Sequence, residues 1–193
     1  MVDEATRRAF LRLAGVTSLG GSATLLAACG GGSGQKPATG PATTATINAS
    51  ADVDIVNAAI DLENTAIAAY AAAAKLLTGD ARTVARQFLT QEMAHADALT
   101  TAVQQFGGTP NQPQSNYEPI VGSAKTPTAA LKLALRLENT AVAAYVKAIA
   151  RLTDPKLRQT IASILTDEAE HISVLRTQLG LSPVPAAFVK GGA

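Results

Sequence analysis

The chain has 193 residues, 16 Lys plus Arg against 15 Asp plus Glu, a formal net charge of +1 and only 4% aromatic residues. A balance so near zero offers no electrostatic footprint for nucleic acid or a strongly charged partner. A single cysteine excludes an intramolecular disulfide and a thiolate-built zinc site, and abundant alanine favours helix.

Residues 1–28 read as a targeting segment. Arg7-Arg8 precede a modestly apolar stretch from Leu13 to Ala28, too short and too interrupted for a good membrane span. Thr6-Arg-Arg-Ala-Phe-Leu11 looks like a twin-arginine export signal, and Leu26-Ala-Ala-Cys29 resembles the lipobox of bacterial lipoproteins. By that resemblance Cys29 becomes the first mature residue and carries a lipid anchor at the outer face of the cytoplasmic membrane or in the periplasm. The alternative is a small buried cysteine in an ordinary helix. Residues 29–49, with Gly30-Gly-Gly-Ser-Gly34 and a Pro/Thr/Ala mixture, form a flexible linker. Roughly 145 residues remain, enough for one domain with one core.

The first predicted helix runs from about Ala51 to Leu77, with Ser50 as its cap and Asp52 and Asp54 facing the positive end of the helix dipole. Val56, Ile60, Glu63, Ile67, Tyr70, Ala74 and Leu77 recur at alternating spacings of three and four. Glu63 therefore lies within an apolar stripe, where a carboxylate is costly unless paired or bound to a metal. Thr78-Gly79-Asp80 is a tight connection with Asp80 as the next cap. The second helix, about Ala81 to Phe106, turns Val84, Phe88, Glu92, His95, Leu99, Val103 and Phe106 inward. So short a turn makes these two helices antiparallel neighbours.

Gly107-Gly108 ends the second helix, and a stretch without periodicity follows to about Lys125. At about 3.3 Å per extended residue it can travel the ~40 Å length of a helix. It is expected to be a crossover that sets the third helix parallel to the second. Thr126-Pro127 starts that helix, which runs to about Leu152 with Leu131, Leu135, Glu138, Val142, Tyr145, Ile149 and Leu152 inward. After Thr153-Asp154-Pro155, the fourth runs to about Leu179 with Leu157, Ile161, Ile164, Glu168, His171, Leu175 and Leu179 inward. Gly180, Pro183 and Pro185 stop it, and residues 181–193 form a short tail with no fifth helix. The expected fold is all-α: an antiparallel four-helix bundle over residues 50–180, with a long crossover between its second and third helices.

An internal repeat carries the chemistry. Leu62-Glu-Asn-Thr-Ala-Ile-Ala-Ala-Tyr70 returns as Leu137-Glu-Asn-Thr-Ala-Val-Ala-Ala-Tyr145, and Glu92-Met-Ala-His95 returns as Glu168-Ala-Glu-His171. His95 and His171 are the only two histidines. Residues three apart lie on one helix face, so each Glu-x-x-His offers an oxygen and a nitrogen in one direction. With Glu63 and Glu138 this makes four carboxylates and two imidazoles, the ligand set of a carboxylate-bridged two-metal centre in a four-helix bundle. Glu92 and Glu168 are assigned as bridging, Glu63 and Glu138 as terminal, and His95 and His171 as one nitrogen per metal. Such a set suits iron or manganese better than copper or structural zinc. Tyr70 and Tyr145 each lie seven residues after a ligand glutamate. They are expected to hydrogen-bond a ligand of the opposite hairpin, or to donate an electron when oxygen is reduced, or to be core tyrosines with satisfied hydroxyls. Asp97 and Asp167 flank the ligands and are read as solvated rather than supporting them. Met93 is read as packing or surface, and Asn64 and Asn139 are assigned no role.

At these residues the chain resembles the ferritin-like superfamily, bacterioferritin and rubrerythrin most specifically, over about residues 50–180. Glu63, Glu92-x-x-His95, Glu138 and Glu168-x-x-His171 match the bacterioferritin di-iron pattern at all six positions, and Gln91-Glu-Met-Ala-His-Ala-Asp97 is similar to its second helix. There the methionine after the glutamate binds haem between subunits, the position of Met93. The resemblance implies two iron ions that oxidise ferrous iron with oxygen or reduce peroxide. The missing fifth helix and the predicted anchor point to a monomer or dimer rather than a 24-subunit cage. The absence of Cys-x-x-Cys removes the electron-donor domain of rubrerythrin. The expected function is that of an envelope di-metal oxidoreductase in iron handling or oxidative-stress defence. The alternatives are a non-catalytic metal-binding or structural lipoprotein, and a metal-free bundle that uses its outer surface for a protein partner.

Overall fold

The computed structural model describes residues 47–192. Arg7-Arg8, Cys29 and nearly all of the predicted linker lie outside the described residues. Five helices follow: α1 (Ala49–Leu76), α2 (Gly79–Gln105), α3 (Glu118–Val121), α4 (Pro127–Arg151) and α5 (Pro155–Gln178). The four long ones are those expected from the periodicity, with ends moved by local chemistry. None of the described helices is long and apolar enough to cross a membrane.

Helix α1 begins earlier than Ser50 would place it. Asn48 is the cap, its Oδ1 accepting the Ala51 N–H at 3.2 Å. Asp80 is not the cap of α2 either. Thr78 occupies that position without a side-chain bond, and Asp80 lies in the first turn. Thr126 and Asp154 do cap α4 and α5. Thr126 Oγ1 accepts the Ala129 N–H at 3.2 Å, and Asp154 Oδ1 accepts those of Lys156 and Leu157 at 2.8 and 3.0 Å. Helix α2 closes with Gly107 at φ 73°, a left-handed position that glycine adopts without Cβ strain.

Contacts between helices set the directions. Tyr145 reaches Glu63 while Tyr70 reaches Glu138, so α1 and α4 run antiparallel. His95 meets Asp167 while Gln91 meets His171, so α2 and α5 are antiparallel too. With two tight hairpins, α2 and α4 are then parallel, and the crossover joins opposite ends of the bundle. It is not structureless. It contains α3 and is latched near its start, where Asn57 Nδ2 donates to the Thr109 carbonyl (3.0 Å) and Asn111 N–H donates to Asn57 Oδ1 (2.8 Å). Gly108 runs so close to α1 that a Cβ there would lie 2.7 Å from Val53 Cγ1.

The bundle interior has three levels. At one end Val56, Ile60, Leu99, Val103, Ile161 and Ile164 form an apolar cluster. At the other, Ala66, Ala73, Leu77, Phe88, Ala130, Ala134 and Leu175 form a second. The regular spacing of the stripes places Glu63, Glu92, Glu138, Glu168 and His171 between them, each at most 1% exposed. Much of the inner face of α1 and α4 is alanine, and these helices pack closely, whereas α2 and α5 approach at few points. Ile67 and Ala74, read as inward, are half-buried beside the fully inward Ala66, Ala69 and Ala73.

One buried carboxylate ties the hairpins together. Asp52 is 0% exposed and accepts from Thr153 N–H (2.8 Å), Thr153 Oγ1 (2.9 Å) and Asp154 N–H (2.8 Å). Its role is thus the α4–α5 turn rather than the helix dipole alone. Asp52→Ala leaves these donors without their acceptor and is expected to cost about 2–4 kcal/mol. Urea unfolding would show this as a lower midpoint at unchanged slope, and a shift under about 0.5 kcal/mol would exclude the clasp.

Candidate metal centre

Each long helix sends one or two polar side chains into the middle level. Glu63 comes from α1, Glu92 and His95 from α2, Glu138 from α4, Glu168 and His171 from α5. Two four-residue groups form. Glu63, Glu92, His95 and Glu168 offer ligand atoms within 4.8 Å of one another, and so do Glu92, Glu138, Glu168 and His171. Glu92 and Glu168 belong to both groups, the position assigned above to bridging carboxylates. All six sequence-predicted ligands therefore converge.

Both imidazoles turn Nδ1 inward. His95 Nδ1 lies 3.3 Å from Glu168 and 3.5 Å from Glu63, and His171 Nδ1 lies 3.1 Å from Glu92 and 3.4 Å from Glu138. These separations are within ion-pair range, yet none has hydrogen-bond alignment. Glu63 Oε2, both oxygens of Glu92, Glu138 Oε2, both oxygens of Glu168 and both Nδ1 atoms are buried without a hydrogen-bond partner. A folded interior ordinarily satisfies such atoms. Eight converging orphaned donors of hard oxygen and imidazole type fit a pair of divalent cations, which would give each an electrostatic partner.

The charge states follow from burial and proximity. Burial raises Glu63 and Glu138 well above the usual carboxylate range, more than the nearby imidazoles lower them. Burial also works to raise Glu92 and Glu168, but His171 and His95 together outweigh it. Glu92 ends below its ordinary value and Glu168 at about 2. Burial works to lower the imidazoles, and the surrounding carboxylates overturn it, pushing His95 and His171 up to about 12.

Tyr70 donates its hydroxyl to Glu138 Oε1 and Tyr145 donates to Glu63 Oε1, each across to the opposite hairpin. Burial, then the charge of the glutamate each contacts, raises both phenols well above their normal value. Phe88 stacks on His171 with ring centroids 3.9 Å apart, so one core position of α2 also steadies that imidazole. Asp97 is exposed and Met93 is 53% exposed, both on the outer surface.

Asp167 departs from its expected solvated role. Its Oδ2 lies 3.2 Å from His95 Nε2 and 3.4 Å from His171 Nε2, and its side chain is only 25% exposed. Gln91 Oε1 lies 3.2 Å from His171 Nε2, a contact that reading the chain alone missed. The signal was present in the repeat. Gln91 and Asp167 are separated by the same 76 positions as the two histidines, one residue before each ligand glutamate. Asn139 has a structural role, its carbonyl accepting the Gly192 N–H (3.0 Å) and anchoring the tail along α4.

The family model of the ferritin-like domain matches residues 51–181. No curated protein matches the chain. Among solved structures, the chain is similar to a bacterioferritin from Rhodobacter capsulatus described with a metal-free dinuclear site and a haem iron. Identity is 26%, coverage is 70% of this chain and 87% of that one, and the TM-score is 0.59. It is similar to a ferritin-like, di-iron carboxylate protein from Bacillus anthracis at 23% identity, covering 69% and 99% of the two chains with TM-score 0.60. A dodecameric thioferritin from Bacteroides fragilis matches at 20% identity, covering 69% and 87% with TM-score 0.58. A four-helix bundle with a carboxylate and histidine cluster at its middle level, matched by this family over most of its described length, belongs to the ferritin-like domain family.

Proposed function

We propose that this chain is a di-metal carboxylate oxidoreductase of the cell envelope that holds two iron ions and oxidises ferrous iron or reduces peroxide. The observation that carries the reading is the pair of overlapping ligand groups sharing Glu92 and Glu168, with eight buried donor atoms left unpartnered. Manganese satisfies the same donor set, so the native ion is a matter for elemental analysis. Bound iron would supply the redox chemistry, and the chain's own residues bind, orient and exclude water. Glu63 with His95 would complete one position and Glu138 with His171 the other. Tyr145 and Tyr70 hold the terminal glutamates by hydrogen bonds, and we assign them a second role as electron donors during oxygen reduction. Twin-arginine export and a lipid on Cys29 would place this activity at the outer face of the cytoplasmic membrane or in the periplasm, on a monomer or dimer.

Anaerobic protein loaded with ferrous iron and then exposed to air tests this directly. Near-ultraviolet absorbance is expected to rise faster than in protein-free buffer, with two irons bound per chain. Tyr70→Phe/Tyr145→Phe is expected to keep both irons and slow the rise. A double variant as fast as wild type would remove the electron-donor role. Two tightly bound irons with no accelerated oxidation would leave a non-catalytic metal protein, and no binding would sink the reading altogether.

A further inference from the structure

The two residues that precede the bridging glutamates share a geometric role. Gln91 belongs to the first hairpin and reaches His171 of the second, while Asp167 belongs to the second and reaches His95 of the first. Asp167 is additionally within 3.4 Å of His171 on its own helix. All three contacts fall on Nε2, the ring nitrogen opposite the carboxylate cluster. An imidazole whose outer N–H is held by an acceptor keeps the other nitrogen directed inward, and a carboxylate acceptor raises the basicity of that inner nitrogen. The pseudo-twofold repeat thus supplies one neutral and one charged acceptor in equivalent places.

We propose that Gln91 and Asp167 are positioning residues that cross-strap the two hairpins through the histidines and commit both rings to Nδ1 ligation. Asp167 serves both metal positions and Gln91 serves only that of His171. This rests on the di-metal reading above, but the straps are defined by ring contacts present without any ion. The gap between α2 and α5 makes them necessary. These helices touch at few points, so the ring orientations there are set by side chains rather than by backbone packing. Phe88 braces His171 from one face at 3.9 Å, whereas among the described residues the ring stacked on His95 is His171 itself, 6.4 Å away, so His95 depends more fully on Asp167.

Two measurements separate the strap from the metal reading. In the metal-free protein, long-range proton–nitrogen NMR reads the Nε2 resonance of each histidine. Asp167→Ala is expected to move both, and Gln91→Ala only that of His171. Calorimetry with cobalt(II) as the probe then reads binding. Asp167→Ala is expected to weaken both positions by about 10–100-fold and Gln91→Ala only one, as loss of an outer ligand support does elsewhere. Asp167→Asn keeps an acceptor in place without the charge. It is expected to leave ring orientation intact while weakening cobalt less than alanine does, and it serves as the test should the alanine variant not fold. An Asp167→Ala protein with unmoved Nε2 resonances and cobalt affinities within about twofold of wild type would overturn the proposal, as would an Asn variant identical to wild type in both. If the resonances move as expected but wild-type protein takes up no cobalt, the strap stands and the di-metal reading falls.

Discussion

Glu92→Ala is expected to abolish metal binding at both positions, whereas Glu63→Ala is expected to leave one. Glu92 contributes to both four-ligand groups, and Glu63 to one. Removing a residue that merely supports a ligand costs about 10–100-fold in metal affinity, so losing a shared ligand should cost at least about 100-fold at each position. The loss has an electrostatic side. Glu92 lies 3.1 Å from His171 Nδ1 and 3.7 Å from His95 Nδ1, so the variant also strips an anion from two imidazoliums. Titration with cobalt(II), monitored by calorimetry with helix content checked in parallel, should read two ions per chain in wild type, none in Glu92→Ala and one in Glu63→Ala. Glu92→Gln, which conserves volume, guards against a packing defect. Two ions retained in Glu92→Ala would show that the centre is not built around a shared carboxylate.

Metal uptake should expel protons and depend steeply on pH. In the metal-free protein the imidazoliums of His95 and His171 balance ionised Glu92 and Glu168, while burial keeps Glu63 and Glu138 protonated far above their usual range. Two divalent cations bring four positive charges. Loss of two imidazolium and two carboxyl protons removes four, so the buried layer keeps its charge. About four protons are therefore expected per two ions, measurable by calorimetry in buffers of different ionisation enthalpy. Apparent affinity should rise with pH. A proton count near zero would refute this charge assignment.

The same shifts govern stability. Both histidines are raised in the fold from 6.5 to about 12, so their contribution is fully present below pH 6.5 and fades as pH climbs toward 12. Glu168 is lowered from 4.5 to about 2, so its contribution is present above 4.5 and lost as pH falls toward 2. Glu63 and Glu138 are raised above 4.5, so their contribution falls as pH climbs from 4.5 and adds to the loss seen at higher pH. Metal-free protein should therefore melt progressively lower from pH 6.5 upward, while metal-loaded protein gains more from its ions there. At a thousandfold excess over Kd each site adds about 4 kcal/mol, and two sites should raise Tm by ~15–30 °C in a domain of this size. Thermal scans with and without metal at pH 6 and pH 8 check both statements. A metal-induced rise that shrinks at pH 8 would reverse the sign argued here.

Sequence periodicity was sufficient for the four long helices, their directions and the convergence of six carboxylate and imidazole side chains. Stripes repeat every three to four residues because a helix does, and Glu63, Glu92, Glu138 and Glu168 interrupt apolar stripes at positions that a duplicated hairpin must bring to one level. Helix ends were legible where a side chain caps its own turn, as at Thr126 and Asp154. They were displaced where caps compete, as at Ser50, which yields to Asn48.

What the linear chain determined is therefore which faces must be buried and which ligand types lie on them, because helix geometry is local. The tertiary structure alone decided the partners of groups brought together across more than 70 positions. Asp167 looks solvated beside its own neighbours and becomes a brace only once His95 is opposite. Asp52 looks like a dipole charge until the α4–α5 turn folds over it. An exposed acid and a strapping acid have the same sequence signature, and the distance across α2 and α5 tells them apart.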